Sequence, residues 1–371
     1  MADHKLGRRN FLMAGGVSAL GASITLGGDP ALARTALSPS DAQASLPIGN
    51  SAERQKIILD TDIGTDIDDA FALALILSSP EFELLGVTTD HGLTQKRAQI
   101  VCRMLYEAGR DDVPVAVGRQ TPQQIGKDTE LAGYWSQFHW GEGFTKKRPA
   151  DTPAADFIIE TLRKYPHEVT LFLIGPMPNI GDILKKDPDA LKLAKHIYAM
   201  FGSFNRGYDQ NNYTTNQQPP SGAAYSVNPV PSAEYNVAMD VESAKLFAAS
   251  GAAITYAPLD INTFLIMPED DQDKIWRRRS PLTDALGSLH SLWSTGTPSR
   301  PWVVFDCSPV GIALWPDLFT TRPAHVRVID GGFTVIDESK PANSEIAQSI
   351  NKDEFLNRLL KRYIYQTLGR P

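Results

Sequence analysis

This sequence predicts an α/β fold: a single domain on a mostly parallel sheet, with helices on both faces. Three observations carry that expectation. Short apolar runs alternate with helix-like stretches from residue 55 onward, which is the spacing that β-α-β units require. The 371 residues are 42% hydrophobic and 21% charged, ordinary for a folded chain with a substantial core. No internal repeat or second boundary interrupts the alternation.

Taken in order, residues 56–60 read as a first strand. Residues 68–78 form a helix with apolar side chains on every face, which predicts a buried helix. Residues 82–89 make a second strand, 96–108 an amphipathic helix ended by Gly109, and 113–117 a third strand. A helix over 154–165 stops before Pro166, and a fourth strand covers 169–174. Gly175-Pro176-Met177-Pro178-Asn179 then turns into another helix, and 197–201 is a fifth strand. Residues 202–231, rich in Asn, Gln, Pro, Tyr and Ser, break the rhythm and predict a lid or binding loop. Helix resumes over 241–249 and strand over 254–258. A helix over 274–293 is broken at Pro281, a hairpin spans 326–335 around Gly331-Gly332, and a closing helix covers 355–368.

The N-terminus reads as an address. Arg8-Arg9-Asn10-Phe11-Leu12 is a twin-arginine pattern, a weakly apolar stretch follows, and Ala31-Leu32-Ala33 supplies a small-x-small cleavage site. Residues 1–33 are therefore expected to be a twin-arginine signal peptide, 34–54 a flexible leader and 55–371 the folded domain. The apolar stretch is too short for a stable span, so no membrane insertion is expected after processing. The expected destination is the periplasm or the exterior. With a net charge of −7 and no basic face, nucleic acid is not an expected partner. The run Arg277-Arg278-Arg279 reads as a solvated turn or helix face. Two cysteines, Cys102 and Cys307, have no C-x-x-C spacing and support no zinc or redox pair.

The run Ile57-Ile58-Leu59-Asp60-Thr61-Asp62-Ile63-Gly64-Thr65-Asp66-Ile67-Asp68-Asp69-Ala70 places five aspartates within ten positions, between a strand and an apolar helix. Carboxylates crowded there repel one another and call for a cation. An all-oxygen donor set suits a hard ion such as Ca²⁺. Asp60 and Asp62 alternate on the strand end and can point into one cleft. Asp68 and Asp69 open the helix, where its dipole favours anions. One of Asp66 or Asp68 is expected to cap that helix.

These residues resemble the N-terminal fingerprint of the inosine-uridine-preferring nucleoside hydrolases, Asp-x-Asp-x-Gly followed by Asp-Asp-Ala, with Asp66-Ile67 as two extra residues. Leu85-Gly86-Val87-Thr88-Thr89, Ile174-Gly175-Pro176-Met177-Pro178-Asn179-Ile180 and Asn228-Pro229-Val230-Pro231-Ser232-Ala233-Glu234-Tyr235-Asn236 are similar to later family segments, in the same order. The resemblance implies a nucleoside hydrolase-like catalytic domain with a Rossmann-like core. It implies a Ca²⁺-dependent N-glycosidase that hydrolyses ribonucleosides to ribose and free base with a metal-activated water. Asp62 would ligate the metal and act as the base. Asp69, Asp306 and the Ile174 carbonyl would complete the metal set. Asp68, Asn228, Glu234 and Asn236 would hold the sugar. A homo-oligomer is implied, and a small nucleoside or related ribosyl molecule is the implied partner.

Three departures stand out: the Asp66-Ile67 insertion, Leu93 where the family often has Asn, and Phe305 where well-studied members carry a histidine that protonates the leaving base. Candidates to replace that histidine are His139, His91, Tyr213, Tyr225 and Tyr235, with Trp135 and Trp140 as stacking surfaces. His139 is the catalytic candidate, because Phe138-His139-Trp140-Gly141-Glu142-Gly143 is similar to a His-Gly-x-x-Gly segment at the family's active-site rim. The alternatives are the same fold and metal site acting on another ribosyl or glycosyl conjugate, or a non-catalytic periplasmic sugar-binding protein.

Overall fold

The expected parallel sheet is present, and it has eight strands. The computed structural model describes residues 54–121, 137–207, 231–296 and 301–369, all within one compact unit, Glu53–Pro371. The expected signal peptide, the leader and most of the expected lid lie outside the described residues. Strand β1 (Gln55–Thr61) leads into α1 (Asp68–Leu77), β2 (Phe82–Thr89) into α2 (Thr94–Glu107), and β3 (Val115–Val117) follows. Next come the single turn α3 (Phe138–Gly141), α4 (Ala154–Lys164), β4 (Val169–Leu173), α5 (Pro178–Lys186) and β5 (His196–Met200). Then follow α6 (Tyr235–Ala238), α7 (Val241–Ala248), β6 (Ile254–Ala257), α8 (Leu259–Asn262), α9 (Glu269–Arg278), α10 (Pro281–Gly296) and α11 (Cys307–Leu314). The chain closes with β7 (Phe319–Ala324), β8 (Val326–Ile329), β9 (Phe333–Ile336), β10 (Ser344–Ile350) and α12 (Lys352–Tyr365).

The strand order is β3-β2-β1-β4-β5-β6-β10-β7, parallel throughout except at the β10–β7 edge. From β1 the chain winds outward through β2 and β3, then crosses to β4 and winds the other way. The junction between β1 and β4 is thus a topological switch point, where open α/β sheets form their ligand crevice at the carboxyl ends of the strands.

Alternation along β1 sorts its side chains between the two faces. Ile57 and Leu59 join the core made with α1, α2, α11 and α12, and Ile58 joins the core made with α4, α5 and α7. Helix α1 is buried along all ten of its residues, as its all-round apolar sequence predicts.

The helix break expected at Pro281 is present: α9 ends at Arg278 and Pro281 opens α10. Arg279 takes a left-handed φ of 51° between them. The hairpin around Gly331-Gly332 is β8–β9, as expected. Strands β7 and β10 and helix α11 were not read from the sequence. Among the described residues, no helix is long and apolar enough to cross a membrane.

Candidate active site

The carboxylates gather where β1 ends. Asp60 pairs in register with Thr88 of β2 and Leu173 of β4. Its Oδ1 accepts from Thr88 Oγ1 (2.5 Å) and Asn179 Nδ2 (2.8 Å), which ties β1 to β2 and to the start of α5. Gly64 then turns the chain with a φ of 120°. A Cβ there would come within 2.6 Å of the Phe138 ring, so the turn needs glycine on both counts.

Asp68 and Asp69 open α1, and Asp306 immediately precedes α11. One carboxylate oxygen from each of these three buried residues lies within 4.8 Å of the others. Two helix N-termini therefore face the same cluster, and their dipoles favour its negative charge. Thr61 Oγ1 donates to Asp69 Oδ1 (2.5 Å) and holds that carboxylate toward the strand end. Asp62, 6% exposed, follows the strand end and acts electrostatically on Asp60, Asp69 and Asp306.

Burial sets the charge state. Burial, with help from Asp62, pushes the Asp60 carboxyl up to about 7, against the lowering effect of its two hydrogen bonds. Asp69 is held well above the usual carboxylate range by burial and then by Asp62 and Asp68. Asp306 is raised the same way, by burial and then by Asp68, Asp69 and Asp62. The group is unfavourable as bare anions, and a cation relieves it. The donors fit a hard divalent ion: the buried cluster offers only carboxylate oxygens.

The capping expectation for Asp66 or Asp68 is corrected. The residue at the cap position is Ile67, and no side chain caps the helix. Asp66 is half-exposed, and its Oδ1 accepts from the Ile67 amide (2.8 Å). Asp68, not Asp66, belongs to the cluster.

The remaining expected site residues divide. Asn236 lies in the site: its Nδ2 donates to the carbonyls of Ile174 (3.2 Å) and Met200 (3.0 Å). Glu234 is buried beside it, but its carboxylate works as a cap. It accepts from the amides of Asn236 (2.8 Å), Gly202 (3.1 Å) and Val237 (3.2 Å). His139 is half-exposed, with Glu142 as its partner (3.4 Å). Trp140 is covered by the Arg103 guanidinium, 4.3 Å from its ring, and offers no open stacking face there. Asn228, Tyr213, Tyr225 and Trp135 lie outside the described residues.

His91 is brought in more closely than His139. It is 2% exposed, takes a left-handed φ of 50°, and meets the Tyr235 ring edge-on at 6.1 Å. Phe305, 6% exposed, packs in the core next to Asp306 and has no proton to give. Cys307 is buried with its Sγ against Tyr363 Oη (3.6 Å), and burial pushes its thiol up.

Two residues of the site were missed in the sequence. Arg97 is fully buried. Its guanidinium donates to the carbonyls of Asp62, Ile63 (3.1 Å) and His91 (2.9 Å) and to Thr65 Oγ1 (3.0 Å), pinning the carboxylate loop to the β2–α2 turn. The available signal was that Arg97 shares the apolar stripe of α2 with Ile100, Val101, Met104 and Leu105. Asp90, at the end of β2, is the other.

Comparison with known proteins agrees with this geometry. The family model described as inosine-uridine preferring nucleoside hydrolase matches residues 57–357. An uncharacterised protein of Schizosaccharomyces pombe is 31% identical over 339 residues, covering 83% of this chain and 98% of the relative. The non-specific ribonucleoside hydrolase RihC of Escherichia coli is 29% identical over 325 residues, covering 81% and 96%. Among solved structures, the purine-preferring ribonucleoside hydrolase of Gardnerella vaginalis superposes with a TM-score of 0.69 at 23% identity, covering 84% of this chain and 98% of the other.

Proposed function

This chain belongs to the inosine-uridine preferring nucleoside hydrolase family, and from that premise we propose that it cleaves the N-glycosidic bond of ribonucleosides with calcium bound at the Asp62–Asp306 cluster. Family membership makes it a hydrolase acting on nucleosides, so the non-catalytic alternative falls away. The observation that carries the finer reading is the convergence of Asp68, Asp69 and Asp306 at the switch point, with Asp62 acting electrostatically on both Asp69 and Asp306.

In this reading Asp62, Asp69, Asp306 and the Ile174 carbonyl hold the cation. When bound, the ion lowers the pKa of a water and orients it toward the sugar. Asp62 takes the proton of the attacking water. Asp68 and Asn236 hold ribose hydroxyls, and Asn236 also fixes the Ile174 carbonyl by hydrogen bond. As the bond to the base lengthens, positive charge grows on the ribose ring, and the buried carboxylates stabilise it. Glu234 caps α6 beside Asn236, and in this reading it also serves the sugar-binding side of the site. Asn228 completes the sugar contacts.

The leaving group separates two versions of this function. Phe305 lies in the core with no proton to give, His139 is half-exposed with Glu142 as its partner, and His91 is buried edge-on to Tyr235. That favours either a base that departs with little protonation or a different ribosyl conjugate. The twin-arginine pattern supports action in the periplasm or outside the cell on external nucleosides. Assembly as a homo-oligomer is also proposed, and a monomer mass in light scattering would remove it.

The decisive experiment measures ribose release by the purified protein from a panel of nucleosides, with and without a calcium chelator. Release that the chelator abolishes and calcium restores is the expected result. Release that is indifferent to the chelator removes calcium from the mechanism. No release from any nucleoside directs attention to other ribosyl conjugates.

A further inference from the structure

Asp90 is the one carboxylate near the site whose two oxygens are both buried and without a hydrogen-bond partner among the described residues. It is 0% exposed. No ion pair joins it to Arg97, although that guanidinium acts favourably on it. Neither a helix cap nor a turn accounts for it. A bare carboxylate so enclosed is costly unless something positive meets it.

Its position shows what that could be. The pairing of β1 with β2 ends at Thr61↔Thr89, and the Asp90 amide donates to the Thr61 carbonyl (3.1 Å). Asp90 and Asp62 are therefore neighbours one step past the strand ends. The Asp90 side chain reaches across toward β4. A Cβ on Gly175 would lie 2.6 and 2.7 Å from its two oxygens and 2.9 Å from the Asp62 nitrogen. Glycine at 175 leaves room for this carboxylate beside Ile174, whose carbonyl is assigned to the cation in the function proposed above. The charges acting most strongly on Asp90 after burial are Asp60 and Asp62.

We propose that Asp90 is a cation ligand of this site, an assignment that rests on the cation site proposed above and adds a fourth carboxylate to Asp62, Asp69 and Asp306. A hard ion accepts six to eight oxygens, and Asp90 brings two that no other group among the described residues uses. Gly175 is then a requirement of the metal site, since any side chain there displaces the carboxylate.

The test is calorimetric titration of metal-stripped protein with calcium chloride, for wild type and Asp90→Asn. The expected result is calcium affinity at least tenfold weaker in the variant, or one bound equivalent fewer, together with a higher melting temperature for the metal-free variant. Unchanged affinity and stoichiometry would overturn the assignment of Asp90 alone. Absence of calcium binding by wild type would instead remove the cation site itself. Should Asp90→Asn fail to fold, a crystal of wild type grown with calcium decides. An Asp90 oxygen about 2.3–2.6 Å from a cation supports the assignment, and a bound cation that Asp90 does not touch overturns it.

Discussion

Aspartates at two places in this molecule behave in opposite ways. On the surface, Asp317 meets Arg358 through both of its oxygens (3.1 and 2.8 Å), and the guanidinium pulls its carboxyl below the usual range. At the switch point, Asp69, Asp90 and Asp306 have no such partner, and burial with mutual repulsion drives them far above it. Glu234 falls between the two: buried, yet satisfied by three backbone amides. The difference shows that burial alone does not mark a functional carboxylate. The mark is burial without compensation, repeated over several residues that share one crevice. The fold itself gains nothing from that arrangement, whereas cation binding and charge stabilisation do.

The contrast breaks most sharply at Asp62. Asp62→Asn keeps shape and hydrogen-bonding capacity but removes the base, so kcat should fall by roughly 10²- to 10⁴-fold, the usual worth of general base catalysis. Circular dichroism should be unchanged. If kcat stayed within a few-fold of wild type, another group takes the proton.

A smaller effect, in stability, sharpens the comparison through pH. A carboxyl raised in the folded state keeps its proton after the unfolded chain has released its own. For Asp60 that window runs from 3.8 up to about 7. Within it the folded state binds more protons than the unfolded state, so stability falls as pH rises. Asp69, Asp90 and Asp306 act in the same direction. Metal-stripped protein should therefore melt several degrees lower near pH 8 than near pH 5, and saturating calcium should recover most of the loss at pH 8. A metal-free melting temperature that rises over this interval would mean that the carboxylates are already compensated within the protein.

What could be read from sequence follows the same division. The β1 aspartates were legible because strand, turn and helix lie within fourteen residues, and local alternation sets which way each side chain points. The buried α1 was legible because its sequence is apolar all round. Strands β7 and β10 were not: β7 is mostly exposed or half-exposed at an edge, and β10 alternates poorly, so neither shows a clean period of two. Glu234 and Asn236 sit two residues apart, yet one caps a helix and the other reaches the Ile174 carbonyl. Only the tertiary path of β4 and β5 separates those roles. Asp90 and Arg97 depend on contacts remote in sequence: Asp90 with Thr61 and Gly175, Arg97 with Asp62, Ile63 and Thr65. Burial of a charge over such distances leaves little local trace beyond its place on an apolar face.

The smallest expected effect lies on the surface. Arg358 joins Asp317 to Glu354, whose Oε1 accepts from its Nε (2.9 Å); Asp317 is exposed and the other two side chains are partly so. Solvent and salt screen such pairs, and ordering the long side chains offsets part of the attraction. Arg358→Ala should therefore move the melting temperature by little more than an ordinary surface substitution, and still less in high salt. It should leave calcium affinity and kcat unchanged, because nothing connects this pair to the switch point. A large loss of stability at low salt, absent at high salt, would instead show that the surface network supports the fold. The contrast between compensated and uncompensated carboxylates would then describe where the molecule keeps its stability as well as where it does its chemistry.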